Sequence, residues 1–379
     1  MVDRKEDEIE WPGQRPVIEG LDGLRAIAAM LIVIFHIHTE IKPAEAPWFA
    51  AVADHAWVGV DLFFTLSGFL ITGILLRTTG REGYYASFYK RRVLRIFPLY
   101  YAVVALALWR RSAAGTAAQI PAWAALLFQS NWFAASGTDT LQLVVTWSLS
   151  IEEQFYAAWP LIVALVPPAR LRWVLAALIV AAPAYRGWVH DPQTLASYMY
   201  TPGRLDALGL GALAALLWHQ RVTWVVLWAG RLAWPAALTL VALATVGGAD
   251  RGDLLVATAG YSVFALLTAI LVLGVSSGLA PSLRRALSVR PLPAIGAVSY
   301  GVYLLHPLVL GNVTLICRLL RLPIQQDARW GAFAYLLGCG LAWGLATLIF
   351  HAIEKPILSL KDSWAPYGAR KADDTTTRP

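Results

Sequence analysis

Apolar residues run along this chain in blocks of helix length, broken by short polar stretches, from Leu21 to about residue 352. An α-helix needs roughly 17–25 mostly apolar residues to cross a bilayer. Ten blocks fit: 21–39, 57–77, 94–110, 147–167, 171–189, 203–219, 232–247, 254–275, 293–316 and 330–352. Lipid offers the backbone no hydrogen-bond partners, so blocks of this length predict helices. The expected fold is all-α: a polytopic membrane protein with about ten transmembrane helices. The blocks at 203–219 and 232–247 are short, and a weaker apolar stretch at 120–133 could be interfacial or re-entrant, which leaves nine or eleven crossings open.

Basic residues are retained on the cytoplasmic side of a membrane. With the N-terminus inside, ten crossings put 21 Lys and Arg on the cytoplasmic face and 7 on the outer face. Both termini are therefore expected in the cytoplasm. Residues 1–20 read as a polar cytoplasmic segment without the apolar core or cleavage site of a signal peptide. Residues 21–356 form the membrane unit, and the polar residues 357–379 read as a disordered cytoplasmic tail. Composition agrees with a membrane class: 58% hydrophobic, 15% charged and 17 Trp, with a mean hydropathy of +0.56. The net charge of +7 then belongs to the inner leaflet, and no motif points to nucleic acid. The two cysteines, Cys317 and Cys339, have neither metal-ligand nor pairing spacing, so no metal is expected.

Ionisable groups inside such blocks are costly and mark function. Arg25 and His36 lie eleven residues apart in the first block, which returns them to one helical face about 16 Å apart. His38 points about 200° away from His36. Near the cytoplasmic face, Arg92 and Arg95 are three residues apart and can form a two-guanidinium clamp for phosphate; fixing topology or binding lipid headgroups is the plainer use of such a cluster. Toward the outer face lie His36, Asp61, Glu152, Glu153, Arg204 and Asp206, from four different blocks. The plainer readings here are a capping box from Ser150 to Glu153 and an Arg204–Asp206 ion pair. In the ninth block Tyr300, Tyr303 and His306 recur along one side, and Pro307 removes the donor that would bond the Tyr303 carbonyl. A polar neighbour must fill that acceptor.

Together the segments GLDGLRAIAAMLIVIFH (20–36), GVDLFFTLSGFLIT (59–72), FYKRRVLRIFPLYY (88–101), WSLSIEEQFYAAWP (147–160), GRLDALGLGALAA (203–215), VSYGVYLLHP (298–307) and IEKP (353–356) resemble the acyltransferase-3 family of integral-membrane O-acyltransferases. The resemblance runs in order over nearly the whole chain. It implies an enzyme that moves an acyl group, often acetyl, from acyl-CoA to a hydroxyl of a carbohydrate-containing acceptor: an envelope glycan, an exported polysaccharide or a glycosylated metabolite such as a macrolide. It makes His36 the essential histidine and gives Arg92 and Arg95 a role in holding acyl-CoA, with Arg25 matched as the first-helix arginine. Lys355 stands in IEKP where many relatives have arginine, and the transfer is expected to proceed without the hydrolase-like domain that some relatives append, in the membrane unit alone or by handing the acyl group to a separate protein.

Acyl transfer needs a base for the acceptor hydroxyl, and histidine titrates near the working pH. His36 is expected as that base, or as an acyl-carrying nucleophile. Glu153 or Asp61 would support its imidazolium. Glu152, Arg204, Asp206, Tyr300, Tyr303 and His306 are candidates for supporting or acceptor roles. Acyl-CoA is expected as co-substrate rather than a bound cofactor, with lipid and a glycosylated acceptor as partners and the plasma membrane as location. The rival is a transporter or flippase for a glycan or lipid-linked intermediate, but the midspan prolines Pro160, Pro183 and Pro307 do not recur in corresponding positions of two halves.

Overall fold

The computed structural model describes residues 9–12, 18–115, 120–135, 141–246 and 251–368. Ten helices of fifteen residues or more are present among them: α1 (Leu21–His36), α2 (Gly59–Thr78), α3 (Tyr84–Ala114), α4 (Thr146–Leu165), α5 (Pro168–Trp188), α6 (Leu205–His219), α7 (Thr223–Val246), α8 (Tyr261–Ser276), α9 (Ser299–Leu319) and α10 (Ala328–Ile349). No β-strand occurs among the described residues. Each helix overlaps one apolar block, so the hydrophobic pattern located all ten.

Seven of the ten, α1, α2, α3, α7, α8, α9 and α10, are long and apolar enough to cross a membrane. The other three depart for visible reasons. Helix α6 has 15 residues, α4 carries Glu152, Glu153 and Gln154 in succession, and α5 carries three arginines. Large apolar side chains face outward on several helices, among them Trp173 and Val180 on α5, Leu238 on α7 and Leu336 on α10. An apolar exterior of this kind suits lipid.

Helix α1 lies inside the bundle, against α2, α9 and α10. Its Ala26, Ala28 and Ala29 are fully buried, and small side chains let neighbouring backbones come close where packing rather than water drives association. Helices α2 and α6 cross closely. A Cβ at Gly68 would stand 2.0 Å from the Leu208 carbonyl oxygen, and one at Gly211 would stand 2.0 Å from that of Thr65. Past His36 the helix widens into a π turn, Ile37–Ile41, a feature that recurs at functional sites.

Two stretches outside the long helices are also folded. The stretch 120–133 folds into the short helices Ala122–Leu126 and Asn131–Ala134; Phe128 stacks on Tyr100 with ring centres 4.3 Å apart, and the Tyr100 hydroxyl donates to the Ala125 carbonyl at 2.6 Å. The second is the expected disordered tail, of which residues 357–368 are folded. Helices Lys355–Ser359 and Lys361–Trp364 lead into a segment that lies on the start of α3. Arg91 pairs with Asp362 at 3.0 Å and donates to the Ala365 carbonyl at 2.9 Å, while the Gly368 amide donates to the Glu82 carbonyl. Basic side chains on α3 thus hold a segment whose composition reads as a tail; residues 369–379 lie outside the described residues.

Candidate active site

Helix α3 begins at Tyr84, well before the apolar block at residue 94. Arg92 and Arg95 therefore lie about 12 and 16 Å along it. They are inside the bundle rather than at its rim. Together with Arg25, Glu152, Tyr300 and Tyr303 they line a cavity of about 600 Å³, which Lys361 of the folded tail also borders. Among the described residues neither Arg92 nor Arg95 forms an ion pair; the Arg92 guanidinium lies over the rings of Tyr156, at 5.3 Å, and Phe88, at 5.9 Å. Arg25 reaches only Asp22, at 3.4 Å. Permanently charged forks converging on one cavity with Glu152 the one carboxylate on its wall make a site for an anion.

The structure regroups the acidic candidates. Glu152 and Glu153 belong with the arginines rather than with His36: Arg92 acts on both, and Arg25 on Glu152. Glu152 stands beside the hydroxyls of Ser67 and Tyr156, which are hydrogen-bonded to each other. One buried Glu153 oxygen, Oε1, has no hydrogen-bond partner. The capping box does not form, because α4 starts at Thr146 and leaves Ser150 inside the helix, bonded to the Thr146 carbonyl at 3.1 Å and to the Ser130 hydroxyl at 2.8 Å.

His36 meets a second histidine instead. The Nε2 atom of His306 lies 3.1 Å from His36 Nδ1, and the ring centres are 4.8 Å apart. His36 Nδ1 also lies 2.9 Å from the Ile32 carbonyl, and His306 Nδ1 lies 2.5 Å from the Tyr303 carbonyl. With hydrogen on both Nδ1 atoms, His306 donates to the Tyr303 carbonyl, and the single His36 Nδ1–H is shared between the Ile32 carbonyl and His306 Nε2 as a three-centre bond. The carbonyl that Pro307 leaves open is thereby filled by His306. No described residue bonds His36 Nε2, so this assignment leaves a lone pair there. His38, as expected, faces elsewhere, between Glu45 and Asp54 at 2.7 Å each.

Neither Glu153 nor Asp61 is bonded to His36 among the described residues. Asp61 is fully buried and paired with Arg204, while Asp206 pairs with Arg186 at 2.9 Å. The expected Arg204–Asp206 pair is thus replaced by two pairs across helices, since α2 and α5 bring opposite charges closer than two residues on one helix start can. Arg204 is enclosed by Phe64, Tyr198 and Tyr261, with its guanidinium 5.5, 5.0 and 4.8 Å from their ring centres. Arg186, unassigned from sequence, bonds Asp206, Ser262 at 2.7 Å and the Thr258 carbonyl at 3.0 Å. Its signal was an arginine inside an apolar block.

The cavity and the histidine pair meet at Tyr303. Tyr303 and Phe63 line the cavity, with rings 6.1 Å apart, and the Tyr303 ring is 5.9 Å from that of His306. The Tyr303 hydroxyl is held by Ser148, at 2.5 Å, and by the Val145 carbonyl, at 2.8 Å. Among the described residues, no group of three His, Cys, Asp or Glu side chains is placed to hold a metal ion.

Comparison with known proteins bears on what this arrangement does. A family profile described as an acyltransferase domain matches residues 18–348. The Bacillus subtilis protein YrhL, named provisionally as a peptidoglycan O-acetyltransferase, is 30% identical over 374 residues. The Listeria monocytogenes peptidoglycan O-acetyltransferase OatA is 27% identical over 370 residues, and the Staphylococcus aureus O-acetyltransferase OatA 26% over 373. Each match covers 90% of this chain but 55%, 56% and 57% of the respective relative, so the chain spans little more than half the length of the curated relatives it matches. No solved structure matches the chain.

Proposed function

Because this chain belongs to the acyltransferase-3 family of membrane O-acyltransferases, we propose that it transfers an acetyl group from acetyl-CoA to a hydroxyl of a cell-envelope glycan of the peptidoglycan class. The observation that carries this reading is the pairing of an arginine-lined cavity with an adjacent histidine whose Nε2 no described residue engages. Arg25, Arg92 and Arg95 hold the phosphates of CoA, and the pantetheine arm extends along the cavity toward Tyr303. Displacement of Tyr303 admits the thioester to His36.

Transfer then needs one proton relay. His36 Nε2 takes the proton of the acceptor hydroxyl as the oxygen attacks the thioester carbonyl. Collapse of the tetrahedral adduct breaks the C–S bond, and the leaving CoA thiolate takes the proton from the imidazolium. His306 orients the ring through Nδ1, the part a carboxylate plays in a triad.

The finer topology belongs to the same proposal. All ten long helices cross the plasma membrane, with α4 and α6 sheltering their acidic residues in the bundle and α5 burying Arg186 while Arg170 and Arg172 stand exposed at its start, and both termini are cytoplasmic. The distribution of Lys and Arg supports this. It sets the arginines on the donor side and His36 toward the acceptor side.

The test is purified full-length protein in lipid nanodiscs with labelled acetyl-CoA and peptidoglycan fragments. Glycan-dependent release of free CoA, with label recovered as an alkali-labile ester on the glycan, is expected. Intact acetyl-CoA in the presence of every glycan offered would contradict the reading and favour the transporter.

A further inference from the structure

At the His36 end of α1 stands a cation that sequence reasoning did not single out. Arg251 precedes the π turn Val256–Gly260 that leads into α8, and the Tyr261 hydroxyl fixes its backbone by donating to its carbonyl at 2.8 Å. Its guanidinium carbon lies 4.6 Å from the centre of the Phe35 ring and 5.7 Å from that of Tyr198. The Phe35 ring in turn meets the His36 ring edge-on, 5.2 Å between centres. Arg251 is half-buried and is stacked in place beside the proposed base.

Among the described residues no carboxylate pairs with it. Arg186 and Arg204, which share the same aromatic cluster, each have an aspartate. Arg251 makes no side-chain hydrogen bond or ion pair among the described residues, and only the Phe35 ring it stacks on stands between it and the His36 ring. A bare cation there opposes the imidazolium that proton abstraction creates, because like charges at short range repel. An anion lying on Arg251 removes that opposition. The planar fork of a guanidinium matches a carboxylate with two parallel hydrogen bonds.

Resting on the transferase reading above, we propose that Arg251 is an acceptor-recognition site that takes the carboxylate of an acidic sugar and so presents the neighbouring hydroxyl to His36. The stacking on Phe35 and Tyr198 pre-sets the fork, which reduces the ordering cost of binding. An acidic acceptor then both binds more tightly and neutralises the charge that resists its own deprotonation. A neutral sugar of the same shape does neither.

The experiment compares two acceptors that differ in one group: a muramic-acid-containing oligosaccharide with its free carboxylate, and the same oligosaccharide converted to the carboxamide. The wild-type protein in nanodiscs should use the carboxylate with kcat/KM about tenfold or more above the carboxamide, the scale of one charge-assisted hydrogen-bond pair. In Arg251→Gln that ratio should fall toward one, and Arg251→Lys should recover part of it. A purely structural Arg251 would lower both rates together and leave the ratio standing, which overturns the proposal. Equal use of both acceptors by the wild type also overturns it while leaving the transferase reading intact; release of no CoA with either acceptor removes both.

Discussion

His306 owes its position to the residue after it. Proline at 307 cannot donate to the Tyr303 carbonyl, and inside a bundle that acceptor has to be filled; His306 Nδ1 fills it at 2.5 Å. The need for a donor was legible in the sequence. That its other nitrogen would meet His36 was not, because the pairing joins residues 270 positions apart. Glu153 and Asp61 failed as partners for a related reason. Their depth along their own helices was readable, but the rotation of each helix about its axis was not, and rotation turns one toward Arg92 and the other toward Arg204. His306→Ala should leave the Tyr303 carbonyl unbonded at a cost of about 1–3 kcal/mol and release the His36 ring. Turnover should fall while the Kd for acetyl-CoA holds, since His306 is off the cavity wall, and His306→Gln should restore some turnover. A weakened Kd with normal turnover would remove His306 from its positioning role.

Among the elements, α2 and α6 are the pair that the placement of small residues decides. Gly68 and Gly211 each meet a backbone carbonyl of the other helix at a separation no side chain can share. Gly68→Ala or Gly211→Ala has to push the helices apart and should destabilise the protein by about 1–3 kcal/mol or more, lowering the thermal unfolding temperature in detergent. Gly73→Ala on the same α2 is the control, because its Cβ would find nothing closer than 3.6 Å; equal sensitivity at all three positions would contradict the close-packing account. The apolar blocks gave the existence and order of all ten helices but misplaced the start of α3 by ten residues. Its first turns are polar because they carry Lys90, Arg91 and Arg92 against the folded tail and into the cavity. A window tuned to lipid exposure cannot register a helix that faces protein and a charged pocket, and the same blindness made residues 357–368 look like a free tail.

Over the whole molecule, α1 joins two ends of one path. Arg25 lines the cavity with Arg92 and Arg95, and eleven residues along the same face His36 meets His306. That stripe was visible as a spacing in the sequence; the placing of Tyr303 between the cavity and His306 was not, since it depends on how α9 packs on α1. The two ends should be separable by measurement, binding at one and chemistry at the other. The most direct test is to titrate acetyl-CoA into wild-type, His36→Ala and Arg92→Ala/Arg95→Ala proteins in nanodiscs and to follow CoA release in parallel. The account predicts that His36→Ala binds acetyl-CoA as the wild type does but releases no CoA, while the double arginine variant loses affinity by about tenfold or more. Unchanged affinity without both arginines, or sustained turnover without His36, would contradict it.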